Sequence, residues 1–107
     1  MVKENTKILF VIEKSPDSNS STEVLTKIHS DAILNSAVTI YIKDDGIQWL
    51  YEKYWHDIFK PNDHVVYYAN ATDARKYKVP FQEGVIFSNP KIFHELLNWA
   101  DQIYFLH

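Results

Sequence analysis

The chain has 107 residues, 46% of them apolar and 15% aromatic, and a formal net charge of −3 at neutral pH. Those figures predict one globular domain over residues 1–107 and exclude the basic footprint that nucleic-acid binding needs. The absence of cysteine excludes disulfides, zinc–thiolate sites, thiol nucleophiles and persulfide carriage, and two glycines, Gly46 and Gly84, are too few for a Gly-rich phosphate loop.

Met1 to Thr6 is short and charged, and the first apolar run, Ile8 to Ile12, is too brief for a signal peptide or a membrane span. The sequence therefore predicts a cytoplasmic protein with no membrane association. That first run reads as a strand, followed by a loop in which Pro16, Asp17, Ser18 and Asn19 are turn and cap residues. Ser20 with Glu23 fits a capping box and predicts a helix to about Asn35, with Leu25, Ile28 and Ala32 on its inner face. Ser21 or Thr22 could cap it instead.

Val38 to Ile42 is the second strand and ends in the turn Lys43-Asp44-Asp45-Gly46. Ile47, Leu50, Tyr51, Tyr54, Trp55, Ile58 and Phe59 then follow helical spacing, which predicts one amphipathic helix closed by Pro61. Trp49 falls outside that stripe, on the polar side with Glu52, Lys53 and His56. Pro61-Asn62-Asp63 turns into a third strand, Val65 to Tyr68, and Ala71 to Tyr77 predicts a short helix. Pro80 stops it, and Gly84 marks the turn into a fourth strand, Val85 to Phe87. Asn89-Pro90 is a helix start, with Asn89 as N-cap, and Ile92, Phe93, Leu96, Leu97 and Ala100 form the predicted buried face. Ile103 to Leu106 is the last strand.

Most of the strand runs are continuous rather than alternating, as in parallel sheets covered on both faces, and the intervening segments are long enough for crossovers. The predicted architecture is a three-layer α/β fold with a mainly parallel five-stranded sheet. Its chemistry belongs beyond the carboxyl ends of the strands.

Ser18, Asn19 and Ser20 precede a helix N-terminus, where backbone N–H groups favour anions, but capping alone explains these residue types. Asp44 and Asp45 could hold Mg²⁺, yet a solvated Asp-Asp-Gly turn accounts for them better. The five histidines, His29, His56, His64, His94 and His107, lack metal-ligand spacing, so no metal is expected. No nucleophile elbow occurs and no cofactor is expected; an enzyme using carboxylates such as Asp44, Asp45 or Asp73 is the third-ranked reading, because no pair has an environment that would shift its pKa values.

The segment Val65 to Val79, VVYYANATDARKYKV, resembles the third strand and following turn of the DsrE/DsrF/DsrH-like proteins of sulfur relay. Lys7 to Ile12 resembles the family's opening strand, Thr39 to Leu50 with Asp45-Gly46-Ile47 its strand, turn and helix, and Phe93 to Phe105 with Trp99-Ala100-Asp101 its closing elements. The resemblance implies a flavodoxin-like or DsrE-like fold and homo-oligomers, trimeric or hexameric. Sulfur-carrying members place a cysteine at or beside the position of Asn70, which cannot become a thiolate. What the resemblance implies is therefore a non-catalytic assembly or regulatory subunit connected with intracellular sulfur relay, with cysteine-bearing DsrE-like or sulfur-carrier proteins as partners.

The alternative is a small-molecule or nucleotide-binding module. It would use the Ser18-Asn19-Ser20 loop and a strand-end crevice formed by Asn70, Thr72 and Asp73. Trp49 and Trp99, large aromatics outside or at the margin of their stripes, are the expected interface residues, Trp49 ahead of Trp99.

Overall fold

The computed structural model describes residues 6–18, 21–28, 37–59 and 64–106. Among them, strands β1 (Lys7–Ile12), β2 (Ala37–Ile42), β3 (Val65–Asn70), β4 (Val85–Ser88) and β5 (Gln102–Leu106) alternate with helices α1 (Ser21–Ile28), α2 (Glu52–Ile58), α3 (Ala71–Tyr77) and α4 (Pro90–Trp99). A 3-10 helix, Asp44–Leu50, precedes α2. The five strands form one sheet, parallel at every pairing, in the order β4-β3-β2-β1-β5.

That order decides where the helices go. From β1 to β4 the chain steps in one direction, and only the β4-to-β5 connection returns across the sheet. Right-handed crossovers then put the first three connections on one face and the last on the other. The side chains agree. Val24 of α1, Trp55 and Ile58 of α2, and Ala74 of α3 share a core with Ile8, Phe10, Ile12, Ile40 and Ile42. Phe93, Leu96 and Leu97 of α4 pack on the opposite face, against Leu9, Val11 and Tyr41.

The flanking strands differ from the continuous runs in burial. Beyond their first residues β1 and β2 are buried throughout, as central parallel strands should be. The outer strands are not: β3 is buried only at alternate positions, and β5 only at Leu106. On the α4 face, Val66, Ile86, Ile103 and Phe105 stay exposed. Neighbouring strands lie about 4.8 Å apart, so the sheet spans roughly 20 Å, and one helix about 10 Å across covers about half of it. Consistent with that, no residue of α4 is fully buried, although its predicted stripe does face the sheet.

The predicted continuous helix from Ile47 to Phe59 is corrected. Tyr51 takes an extended conformation (φ −61°, ψ 139°) and divides it into the 3-10 helix and α2. A 3-10 helix has three residues per turn, so its buried side differs from the one an α-helical wheel assigns. Trp49 is the residue most affected. It is 1% exposed, and its indole N–H donates to the Lys14 carbonyl at 3.0 Å. Its expected place on the polar side, and with it the expected subunit contact, is overturned by this burial.

Among the described side chains of α1, Val24 is fully buried and Leu25 packs partly against the same core. Asn19, Ser20, Ala32, the Pro61-Asn62-Asp63 turn, and His107 lie outside the described residues, as does the side chain of Ile28.

Candidate functional site

β3 and β4 are neighbours whose following helices lie on opposite faces of the sheet, α3 on one and α4 on the other. Such a divergence opens a crevice beyond the carboxyl ends of the two strands. Asn70 and Ser88, the last residues of β3 and β4, are register partners at that point. The topology thus places the Asn70 region where this class of sheet forms a site.

Asn70 caps α3. Its side-chain oxygen accepts from the Asp73 N–H at 3.0 Å, and its backbone is extended (φ −69°, ψ 119°) rather than left-handed. Among the described non-glycine residues, the positive-φ positions are Asp44 (φ 52°) and Lys78 (φ 53°), which start the 3-10 helix and end α3. Asp73 is half-buried, and its carboxylate accepts from the Asp44 N–H at 2.7 Å. The Tyr77 hydroxyl donates to Asp45, and that bond, the largest cause, holds the phenol above its ordinary range. The acidic turn expected to be solvated is therefore tied to α3 at two points. Thr72 stands exposed on the first turn of that helix.

Behind Asn70, the Tyr41 hydroxyl and the Ser88 hydroxyl are both sealed from solvent without a protein hydrogen bond of good geometry. Burial pushes the Tyr41 phenol up from 10.0, the nearby Ser88 and Asn70 side chains pull it down, and the Asp73 charge adds to the rise. At neutral pH Tyr41 is a neutral hydrogen-bonding group and not a base. Lys43, the residue after β2, sits with its ammonium 4.7 Å from the centre of the Phe93 ring and 3.8 Å from Asp44. These groups can donate and accept hydrogen bonds, but none is an activated nucleophile.

Sequence reasoning missed Tyr41 and Ser88. The available signal was phase: Tyr41 alternates with Ile40 and Ile42 in a strand buried on both faces, so its hydroxyl had to end inside the fold.

The Ser18 loop is placed elsewhere. β2 separates β1 from β3, and the Asp44–Gly46 turn fills the space beyond it, with the Gly46 N–H donating to the Glu13 carbonyl at 3.1 Å. Ser18 N–H donates to the Ser15 carbonyl, and Asp17 accepts from the Tyr54 hydroxyl at 2.9 Å, so this loop leans on α2. Trp99 is partly exposed and lines a groove of about 330 Å³ beside α4 with Val66, Tyr68, Ile92 and Leu96.

No protein-family model matches the sequence, and no curated protein matches it. Among solved structures the chain is similar to the crystal structure of the ychN protein from E. coli, with a TM-score of 0.69 and 12% identity, covering 94% of this chain and 98% of that one. At that identity the likeness establishes architecture alone. The chain has a DsrE-like, three-layer α/β fold built on a parallel five-stranded sheet.

Proposed function

We propose that this chain is a non-catalytic DsrE-like subunit that acts through protein contacts, with the half-covered face of its sheet as the docking surface. One observation carries the reading. Of the six large hydrophobic residues exposed among those described, Val66, Ile86, Ile103 and Phe105 all lie on the face that, among the described elements, α4 alone covers. Sheets of this kind are normally covered on both sides, and exposed apolar surface of this kind marks interaction sites. Trp99, beside Val66 in the groove, replaces Trp49 as the aromatic expected at the contact.

Further copies of this chain, in a trimer or hexamer, are the first partners. A cysteine-bearing DsrE-like or sulfur-carrier protein is the second, because a chain without cysteine cannot itself carry a persulfide. The connection with sulfur relay rests on the family resemblance.

Light scattering at micromolar concentration tests the self-assembly. The expected mass is a multiple of 12.6 kDa, reduced towards the monomer by Ile86→Glu and unchanged by Glu83→Gln, a substitution off this face. A monomeric mass for the unaltered chain would overturn the homo-oligomer. An oligomer indifferent to Ile86→Glu and Trp99→Ala would place its contacts elsewhere.

The hydroxyls of Tyr41 and Ser88 favour a second reading, small-ligand binding at the β3–β4 crevice. Amide shifts on addition of phosphate, nucleotides or thiosulfate would map to Asn70, Ser88 and Asn89 if it holds. A response confined to other residues would reject it.

A further inference from the structure

On the opposite side of the sheet from the docking face, α3 presents Ala71, Ala74 and Arg75 at helical spacing, and its left-handed C-cap residue Lys78 follows beside them. The two alanines leave room between the helix and β4. The resulting open cleft, about 390 Å³, is lined further by Val79, Phe81 and Phe87. That size lies near the lower end for ligand pockets, which run from about 300 to 1,000 Å³.

Phe81 forms its outer wall. It is 77% exposed, the largest value among the exposed hydrophobic residues described, and its ring centre lies 5.9 Å from that of Phe87. This exposure is built in. The Gln82 amide donates to the Leu50 carbonyl at 2.8 Å, the Val85 N–H to the Gln82 carbonyl at 3.2 Å, and the Val79 N–H to the Ala74 carbonyl at 3.2 Å. Pro80 stiffens the backbone between those anchors. The loop therefore holds the ring beside the cleft.

The charge is one-sided. Arg75 and Lys78 line the cleft without a carboxylate beside them in its wall, and neither forms an ion pair with any described residue. Basic residues in the last turn of a helix complement its dipole, which explains a cation there but not the aromatic wall next to it. Apolar walls plus a guanidinium and an ammonium suit a small molecule with an apolar body and a carboxylate. The guanidinium can grip such a group through two parallel hydrogen bonds.

We propose that the cleft between α3 and β4 binds a small aromatic carboxylate, with Phe81 and Phe87 against its ring and Arg75 and Lys78 on its carboxylate. The proposal does not depend on docking at the α4 face, because the two surfaces lie on opposite sides of the sheet.

Titration of the full chain with phenylacetate and indole-3-acetate, followed by amide NMR, tests it. Saturable shifts are expected at residues 74–82, with the neutral control phenylacetamide binding at least tenfold more weakly. Arg75→Gln and Phe81→Ser alter exposed side chains and should leave the folded spectrum otherwise intact, each weakening indole-3-acetate by about tenfold or more. Absence of shifts in this segment up to about 10 mM of either carboxylate would overturn the proposal. So would binding that both variants retain unchanged, or phenylacetamide binding as tightly as phenylacetate.

Discussion

Gly46→Ala probes the join between the β1 end and the acidic turn, on which the geometry around Asp73 depends. A Cβ built on Gly46 would lie 2.3 Å from the Ile12 carbonyl oxygen and 2.8 Å from its carbon, both backbone atoms of a central strand. No side chain can rotate away to relieve that contact. The turn and the strand must part by roughly 1 Å to restore ordinary van der Waals distance. Overpacking of this kind costs about 1–3 kcal/mol, and the upper part of that range applies because the obstacle is backbone. Moving the turn also strains the bonds from Asp44 to Asp73 and from Tyr77 to Asp45. For a domain of this size, about 2 kcal/mol lowers Tm by roughly 8–16 °C. Urea unfolding of the two proteins gives the free-energy difference, and calorimetry gives the Tm. A variant within about 0.5 kcal/mol of the parent, with unchanged Asp73 and Tyr77 amide signals, would refute the close approach.

Asn70→Ala should cost about 1 kcal/mol by removing the α3 cap, and Asn70→Ser should recover most of it, as urea midpoints will show. A loss much above 2 kcal/mol would mean that Asn70 holds more than the cap. Tyr41→Phe removes a buried hydroxyl that lacks a protein hydrogen bond of good geometry, so stability at neutral pH should stay level or rise by up to about 1 kcal/mol. Because burial raises the Tyr41 phenol above 10.0, the folded chain keeps a proton that the unfolded chain gives up. Its contribution is full below about pH 10 and is lost as pH climbs through the folded value, so the variant should unfold less readily in alkali. Equal alkaline sensitivity of the two proteins would contradict that assignment.

Much of this architecture was readable because its causes are local. The continuous runs of β1 and β2 have no polar position to spare, since both faces are covered. Asn89 was readable as a cap because it accepts from a backbone N–H only two residues ahead, and Pro90 suits the first helical position. Trp49 was misplaced because the helical wheel assumes one uninterrupted α-helix, whereas the chain changes pitch at Leu50 and breaks at Tyr51. The pairing of Asn70 with Ser88, and the approach of Tyr41 to both, depend on strand order and register, which no local pattern encodes.

The candidate crevice and the bare sheet face share one origin. Had the chain continued outward after β4, the last helix would have joined the others, leaving no divergence between β3 and β4. Among the described elements, the return to β5 sends α4 alone to the second face. That single reversal both parts the loops beyond Asn70 and Ser88 and leaves half of the face uncovered. The two consequences meet on β4, where Ile86, 49% exposed, lies on the same face as Ser88 and two residues before it. Any molecule that covers Ile86 therefore borders the crevice. A substitution at Ile86 that disrupts assembly should consequently perturb the amide signals of Asn70 and Ser88, whereas one at Ile103, across the sheet on β5, should not. Equal responses from the two positions would show that docking and crevice are not neighbours in the assembled protein.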